Sequence, residues 1–271
     1  MGERSEEKPI LEVRNLSKTF RQSGGTFRQG SALEAVRDVS FEMYEGEILS
    51  LLGESGCGKT TLARMLMHLI TPTSGKILLD GTEIQSLSER QFRKIRRTIQ
   101  MVYQNPFDCL DPSRRVGSLL EEPLKLWHPD LDAAARKARI EEMLAECGLD
   151  PACLAKRPSE FSGGQLQRLS IARALLVHPH LLIADEIVSA LDVPIQNQIL
   201  QLLEAMKDEL RFTVLFITHD LSVARKVSDR VMIMRQGELA GIGPVREALD
   251  DAQDPYIQKL AASVFTFDGR A

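Results

Sequence analysis

Apolar residues occur in this chain in two spacings. Short uninterrupted runs, Ile48 to Leu52, His180 to Ala184 and Thr213 to Thr218, predict strands buried on both faces, as in parallel sheets. Lys76 to Leu79, Ile99 to Tyr103 and Arg230 to Met234 predict further strands, and Leu11 to Val13 and Ala35 to Glu42 shorter ones, with the loop Arg21 to Ser31 between them. Elsewhere the apolar positions recur at helical spacing. Leu62, Met65, Leu66 and Leu69 form one stripe, Ile140, Met143, Leu144 and Cys147 a second, and Leu166, Leu169, Ala172 and Leu176 a third. Further helices are predicted over Leu119 to Trp127, over Ile195 to Leu210 and from Leu221. Between about Pro106 and Pro158 the pattern is helical, and on either side strands alternate with helices. That alternation predicts an α/β protein with a mainly parallel sheet and a helical insertion.

The stretch Gly53-Glu54-Ser55-Gly56-Cys57-Gly58-Lys59-Thr60 separates the run at Leu52 from the stripe at Leu62, and it fits G-x-x-x-x-G-K-[ST]. Glycines let successive N–H groups point into a phosphate-sized cradle, and the following helix adds its positive end. A nucleoside triphosphate is the expected ligand. Lys59 would reach its β- and γ-phosphates, Thr60 would offer its hydroxyl to Mg²⁺, and Thr61 is a further phosphate-side candidate. The competing reading is a glycine-rich turn, but the strand before the loop and the helix after it are those that the motif requires.

Two more places carry chemistry. The run Leu181 to Ala184 ends in Asp185-Glu186, which a parallel sheet would put at its carboxyl edge beside the phosphate loop. Asp185 would hold Mg²⁺ there, and Glu186 would take a proton from the attacking water. Ser162-Gly163-Gly164-Gln165 reads as a capping box, yet its glycines also bare N–H groups at a helix start. Two phosphate-type sites in one chain suggest a nucleotide shared between two copies.

Composition narrows the class. With 271 residues, a formal net charge of -4 and 43% hydrophobic content, the chain can bury one sizeable core or one core with an inserted subdomain, and has no basic excess for nucleic acid. The cluster Arg90, Arg93, Lys94, Arg96, Arg97 reads as a solvated helix face with Phe92 and Ile95 inward, against a polyanion site as the alternative. No run approaches the length of a membrane span, and Met1 to Glu7 is charged, so neither crossing of a membrane nor secretion is expected. The 4 cysteines, Cys57, Cys109, Cys147 and Cys153, have no CxxC spacing and read as reduced thiols.

Taken in order, Gly53 to Thr60, Gln104, Phe161 to Gln165, Leu181 to Glu186, Ser189 to Asp192 and His219 resemble the ATP-binding cassette ATPases of membrane transporters. The resemblance implies a P-loop NTPase core of about 8–105 and 159–245, with an N-terminal antiparallel β subdomain, a helical subdomain of about 106–158 and a helical tail of about 246–271, all in one domain. It implies ATP and Mg²⁺ as cofactors. Phe20 would stack on adenine, with Phe27 competing for that role, Gln104 would sense Mg²⁺ and the water, and His219 would contact the γ-phosphate. Asp192 would sit in a loop crossing between protomers, and Ser162, Gly163, Gly164 and Gln165 of one protomer would cover the ATP held by the other. Where the family has proline and threonine after the glutamate, this chain has Ile187-Val188, which puts the geometry of the loop to Asp192 in question.

Finer features resemble the importers of peptides and nickel-type complexes: Tyr103 to Pro106, Leu110-Asp111-Pro112, Lys156-Arg157-Pro158 and Pro255-Tyr256. That branch implies transmembrane permease subunits, a second ATPase subunit (a different chain, with a homodimer as the alternative) and an extracytoplasmic substrate-binding protein. It also implies a peripheral place on the cytoplasmic face of the membrane. Two other classes compete: an ATPase of a soluble phosphonate-processing or nucleic-acid-linked complex, and a small-molecule kinase. The kinase leaves the second glycine site and His219 without a role.

Overall fold

The computed structural model describes residues 8–21, 32–250 and 254–259. These fall into two compact units, one within Met1–Phe92 and Leu215–Ala271, the other Arg93–Val214. The first unit opens with β1 (Leu11–Arg21) and β2 (Ala32–Met43), then β3 (Ile48–Leu52), α1 (Lys59–Leu66), β4 (Ser74–Leu79) and β5 (Thr82–Glu83), and α2 (Glu89–Ile95) runs across the division between the units. The second contains β6 (Ile99–Val102), α3 (Val116–Trp127), α4 (Ala133–Glu146), α5 (Gly163–Leu175), β7 (Leu181–Asp185) and α6 (Val193–Leu210). On β8 (Thr213–Ile217) the chain passes back to the first unit, which ends with α7 (Leu221–Val227), β9 (Arg230–Arg235), β10 (Glu238–Pro244) and α8 (Val245–Leu249).

In the first unit an antiparallel sheet has the order β2-β1-β4-β5, and β4 turns into β5 through Asp80 and Gly81, both with positive φ. The strand order of the other sheet runs β10-β9-β3-β8 in this unit, with β3 and β9 parallel and β9 and β10 antiparallel. Every residue of β3 and of β8 is buried, which is why their apolar runs are continuous rather than alternating. Full burial of each such side chain contributes about 1.5–3 kcal/mol. In the second unit β8, β7 and β6 follow in order, with β6 and β7 parallel from Ile99 beside Leu181 to Val102 beside Ala184. Thus Gln104 and the pair Asp185 and Glu186 leave their strands at the same, carboxyl, end.

Several boundaries differ from expectation. The strand pair at the start is longer than the apolar positions implied, with Arg21 still pairing with Ala32, while Phe27 and the rest of that loop lie outside the described residues. The phosphate-loop helix stops at Leu66, because His68 adopts φ 55; Leu69, placed in the apolar stripe, is 53% exposed. β10 had no clear sequence signature of its own. As read from the basic cluster, Phe92 is fully buried, stacked on His68, and Ile95 is half-buried. Among the described residues no helix is long and apolar enough to cross a membrane.

Candidate functional site

The glycine-rich loop of the first unit is shaped by contacts that only glycine allows. At Gly53, φ is +150 and a Cβ would lie 2.3 Å from the Met234 carbonyl oxygen; at Gly58, φ is +114 and a Cβ would lie 2.3 Å from the Ala35 oxygen. An L side chain at either place would collide with backbone. Gly58 is the cap residue of α1 and carries no side-chain cap, so the first N–H groups of that helix are left for another acceptor. The loop is tied down elsewhere: Cys57 N–H donates to the Glu54 carbonyl at 3.3 Å, and Gly237 N–H donates to the Cys57 carbonyl at 2.9 Å.

Lys59 is 6% exposed, and its Nζ donates to the carbonyls of Gly53 at 2.6 Å and Glu54 at 3.0 Å. The ammonium is therefore held over the concave side of the loop, where an anion of phosphate size would meet it. Thr60 is exposed at the first turn of α1 and Thr61 is half-buried. Cys57 is buried and its thiol pKa is raised, chiefly by burial, so it is a poor nucleophile. The residues fit a nucleoside triphosphate: a narrow glycine cradle, bare helix N–H groups and one buried cation.

His219 belongs to the same unit. The N–H of Thr218 donates to the Leu51 carbonyl at 3.2 Å, which registers the end of β8 against the end of β3, two residues short of the loop. His219 follows, exposed, and Asp220 caps α7 by accepting from the N–H groups of Ser222 at 2.8 Å and Val223 at 3.3 Å. Phe20 lies near the end of β1, 39% exposed, with the Lys18 ammonium 5.1 Å from its ring centre. It is an accessible aromatic face rather than a buried strand end.

In the second unit the acids end β7. Asp185 and Glu186 are half-buried, and Glu186 adopts φ 49, a left-handed conformation uncommon for a residue with a side chain. The turn after it is closed by Ser189, whose N–H and hydroxyl both donate to the Glu186 carbonyl, at 3.1 and 2.9 Å. Gln104 Nε2 donates in turn to the Ser189 hydroxyl at 3.2 Å, so Gln104, Ser189 and Glu186 form one connected group. Ile187 and Val188 are both 2% exposed, so this unusual pair packs inward. The segment on to Asp192 is pinned by Gln196 Nε2, donating to the carbonyls of Val188 at 3.0 Å and Leu191 at 2.9 Å. Asp192 caps α6 by accepting from the Ile195 N–H at 3.0 Å. Ser189 and Gln196 are the residues that the sequence left without individual roles; only their places near an acid turn and in a first helical turn hinted at them.

Ser162 opens α5 with a full capping box, its N–H donating to Gln165 Oε1 at 3.0 Å and its hydroxyl accepting from the Gln165 N–H at 3.4 Å. Gly163 is exposed and Gly164 half-buried, and a Cβ on Gly164 would come within 2.6 Å of Ile195 Cγ2. Among the described residues no group of three His, Cys, Asp or Glu side chains could hold a metal ion by itself. A divalent cation here would need a hydroxyl or phosphate oxygens to complete its ligand set.

The family model described as "ABC transporter" matches residues 36–189. The oligopeptide transport ATP-binding protein AppF of Bacillus subtilis is 46% identical over 257 residues, covering 94% of this chain and 78% of that protein. The oligopeptide transport ATP-binding protein OppF of Haemophilus influenzae is 41% identical over 258 residues, with the same coverage of 94% and 78%. Among solved structures, the dimeric, post-hydrolysis ATP-binding cassette MJ0796 bound to ADP and Pi superimposes with a TM-score of 0.76 at 30% identity, over 88% of this chain and 99% of that one.

Proposed function

The chain belongs to the ABC transporter family as an ATP-binding, ATP-hydrolysing subunit, and from that premise we propose that it powers the import of peptides through a membrane transporter. The observation that carries this reading is the intact phosphate loop, with its crowded glycines and buried Lys59, in a chain similar over 94% of its length to subunits named for oligopeptide transport. Those names favour peptide cargo over a nickel-type complex.

We assign the phosphates to the N–H groups of residues 53–61 and to Lys59, whose ammonium exchanges loop carbonyls for phosphate oxygens. Mg²⁺, when bound, would neutralise charge on those oxygens, held by the hydroxyl of Thr60 and by Asp185 with Gln104. Glu186 is the proposed base for the attacking water, aimed by the turn that Ser189 closes. His219 contacts the γ-phosphate and Phe20 stacks on the adenine. Ser162, Gly163, Gly164 and Gln165 cover the nucleotide of a second protomer, and Asp192 lies at that junction. The capping box uses only the N–H groups of Ser162 and Gln165, which leaves the Gly163 and Gly164 N–H groups and the Ser162 hydroxyl proton for phosphate oxygens.

The partners that follow are permease subunits, a second ATPase chain or a second copy of this one, and, through the permease, a substrate-binding protein. The place of action is the cytoplasmic face of the membrane. In a complex reconstituted with permease and binding protein, ATP turnover should rise when peptide is added. A complete complex without stimulation, or copurification with soluble enzymes in place of permeases, would overturn the importer reading.

A further inference from the structure

A short helix over 255–259 lies in the C-terminal segment, and the burial of Ile257 anchors it in the first unit. Asp254 caps it, accepting from the Tyr256 N–H at 2.7 Å. Ile257 is 3% exposed and enters the core cluster of Leu52, Leu221, Ile233 and Leu249; Leu52 is the residue immediately before the phosphate loop. β10 makes room for it through Gly241, where a Cβ would lie 3.0 Å from Ile257 Cδ1.

Between Asp254 and Ile257, Tyr256 faces the loop from outside. Its ring lies under the Arg235 guanidinium, 4.8 Å from the ring centre, and together with Glu54, Ser55, Cys57 and Lys259 they line a cavity of about 580 Å³. Arg235 begins the hairpin whose Gly237 N–H holds the Cys57 carbonyl, so ring, hairpin and loop form one stack. The Tyr256 hydroxyl is buried and makes no bond of good geometry among the described residues. Burial raises its pKa, opposed by the backbone N–H of Glu54, which lines the same cavity.

We propose that Tyr256 is a positioning residue for nucleotide binding: clamped by Asp254 and Ile257 and stacked under Arg235, its ring braces the Glu54–Cys57 turn of the phosphate loop. This rests on the loop being the nucleotide site. A braced loop loses less freedom when it binds, so the brace acts on affinity rather than on the chemical step. A cation–π contact of this kind supports about a tenfold effect.

The test compares the full chain with Y256A, Y256L and Y256F. In Y256A, amide exchange at Glu54 to Cys57 in nucleotide-free protein should quicken about tenfold, and the Kd for a fluorescent ATP analogue should rise about tenfold. In the assembled transporter KM should rise with kcat within about twofold. Y256L keeps bulk for folding but has no π face and should behave as Y256A does, whereas Y256F should restore most of the affinity. Y256A or Y256L with a lowered melting temperature but unchanged loop exchange and Kd would overturn the proposal, as would Y256F as weak as Y256A. If the natural chain bound no ATP analogue while Y256A still loosened the loop, the brace would stand and the nucleotide reading of the loop would fall.

Discussion

The two glycine-rich helix starts of this chain solve opposite problems. In the phosphate loop Gly53 and Gly58 sit where a Cβ would lie 2.3 Å from a carbonyl oxygen, the cap residue Gly58 has no side chain, and the only buried cation of the loop turns inward. At Ser162 the backbone is ordinary, with φ -70, and the side chains of Ser162 and Gln165 satisfy each other's N–H groups. The first start has its donors bare and its shape enforced by neighbours; the second has two of its N–H groups paired within its own capping box.

The sharpest way to break this contrast is Gly58→Ala, which puts a Cβ on a backbone oxygen at positive φ. Strain of about 1–3 kcal/mol plus that collision should distort the loop and weaken ATP binding more than about a hundredfold, measured by equilibrium titration. Next comes Glu186→Gln: ATP should still bind, turnover should fall about a hundredfold or more, and a closed dimer should accumulate, seen by size-exclusion chromatography with ATP. Hydrolysis at the natural rate would remove Glu186 from its assigned role. Ser162→Ala should cost about 1 kcal/mol of stability through the lost cap, while the turnover of the assembled pair falls further than that loss explains. Turnover that merely tracks stability would leave Ser162 as a cap and nothing more.

The smallest effect separates the two units by acid. The described histidines whose pKa is lowered, His128 and His178, both lie in the second unit, displaced chiefly by burial and then by Arg139. Their folded pKa lies below the ordinary 6.5, so the unfolded chain takes up protons first. Their contribution is complete above about pH 6.5 and is lost as pH falls through the lowered values. Trp127, the chain's single tryptophan, adjoins His128 and reports this unit, so urea midpoints followed by its fluorescence should fall from pH 7.5 to 5 and flatten in His128→Asn.

What could be read in the sequence follows from how strongly burial constrains each part. β3, β7 and β8 are buried almost throughout, so their apolar runs were unambiguous, and the phosphate loop and capping box are dictated by local stereochemistry. β10 was hidden because it is an exposed edge strand in which Gly241, Gly243 and Pro244 break any alternation. The stripe over α1 overran its end because Leu69 keeps helical spacing after the backbone has turned at His68. The group Gln104, Ser189 and Glu186 joins residues 85 positions apart in sequence, a pairing that no local pattern announces.

The left-handed backbone at Glu186 carries an evolutionary tension. Asparagine or glycine would sit there with less strain, so a population screened only for heat tolerance would drift toward them and gain resistance while losing turnover. If Glu186 is the base proposed above, an acid kept there despite the strain is what selection on fuel consumption, rather than on durability, would leave.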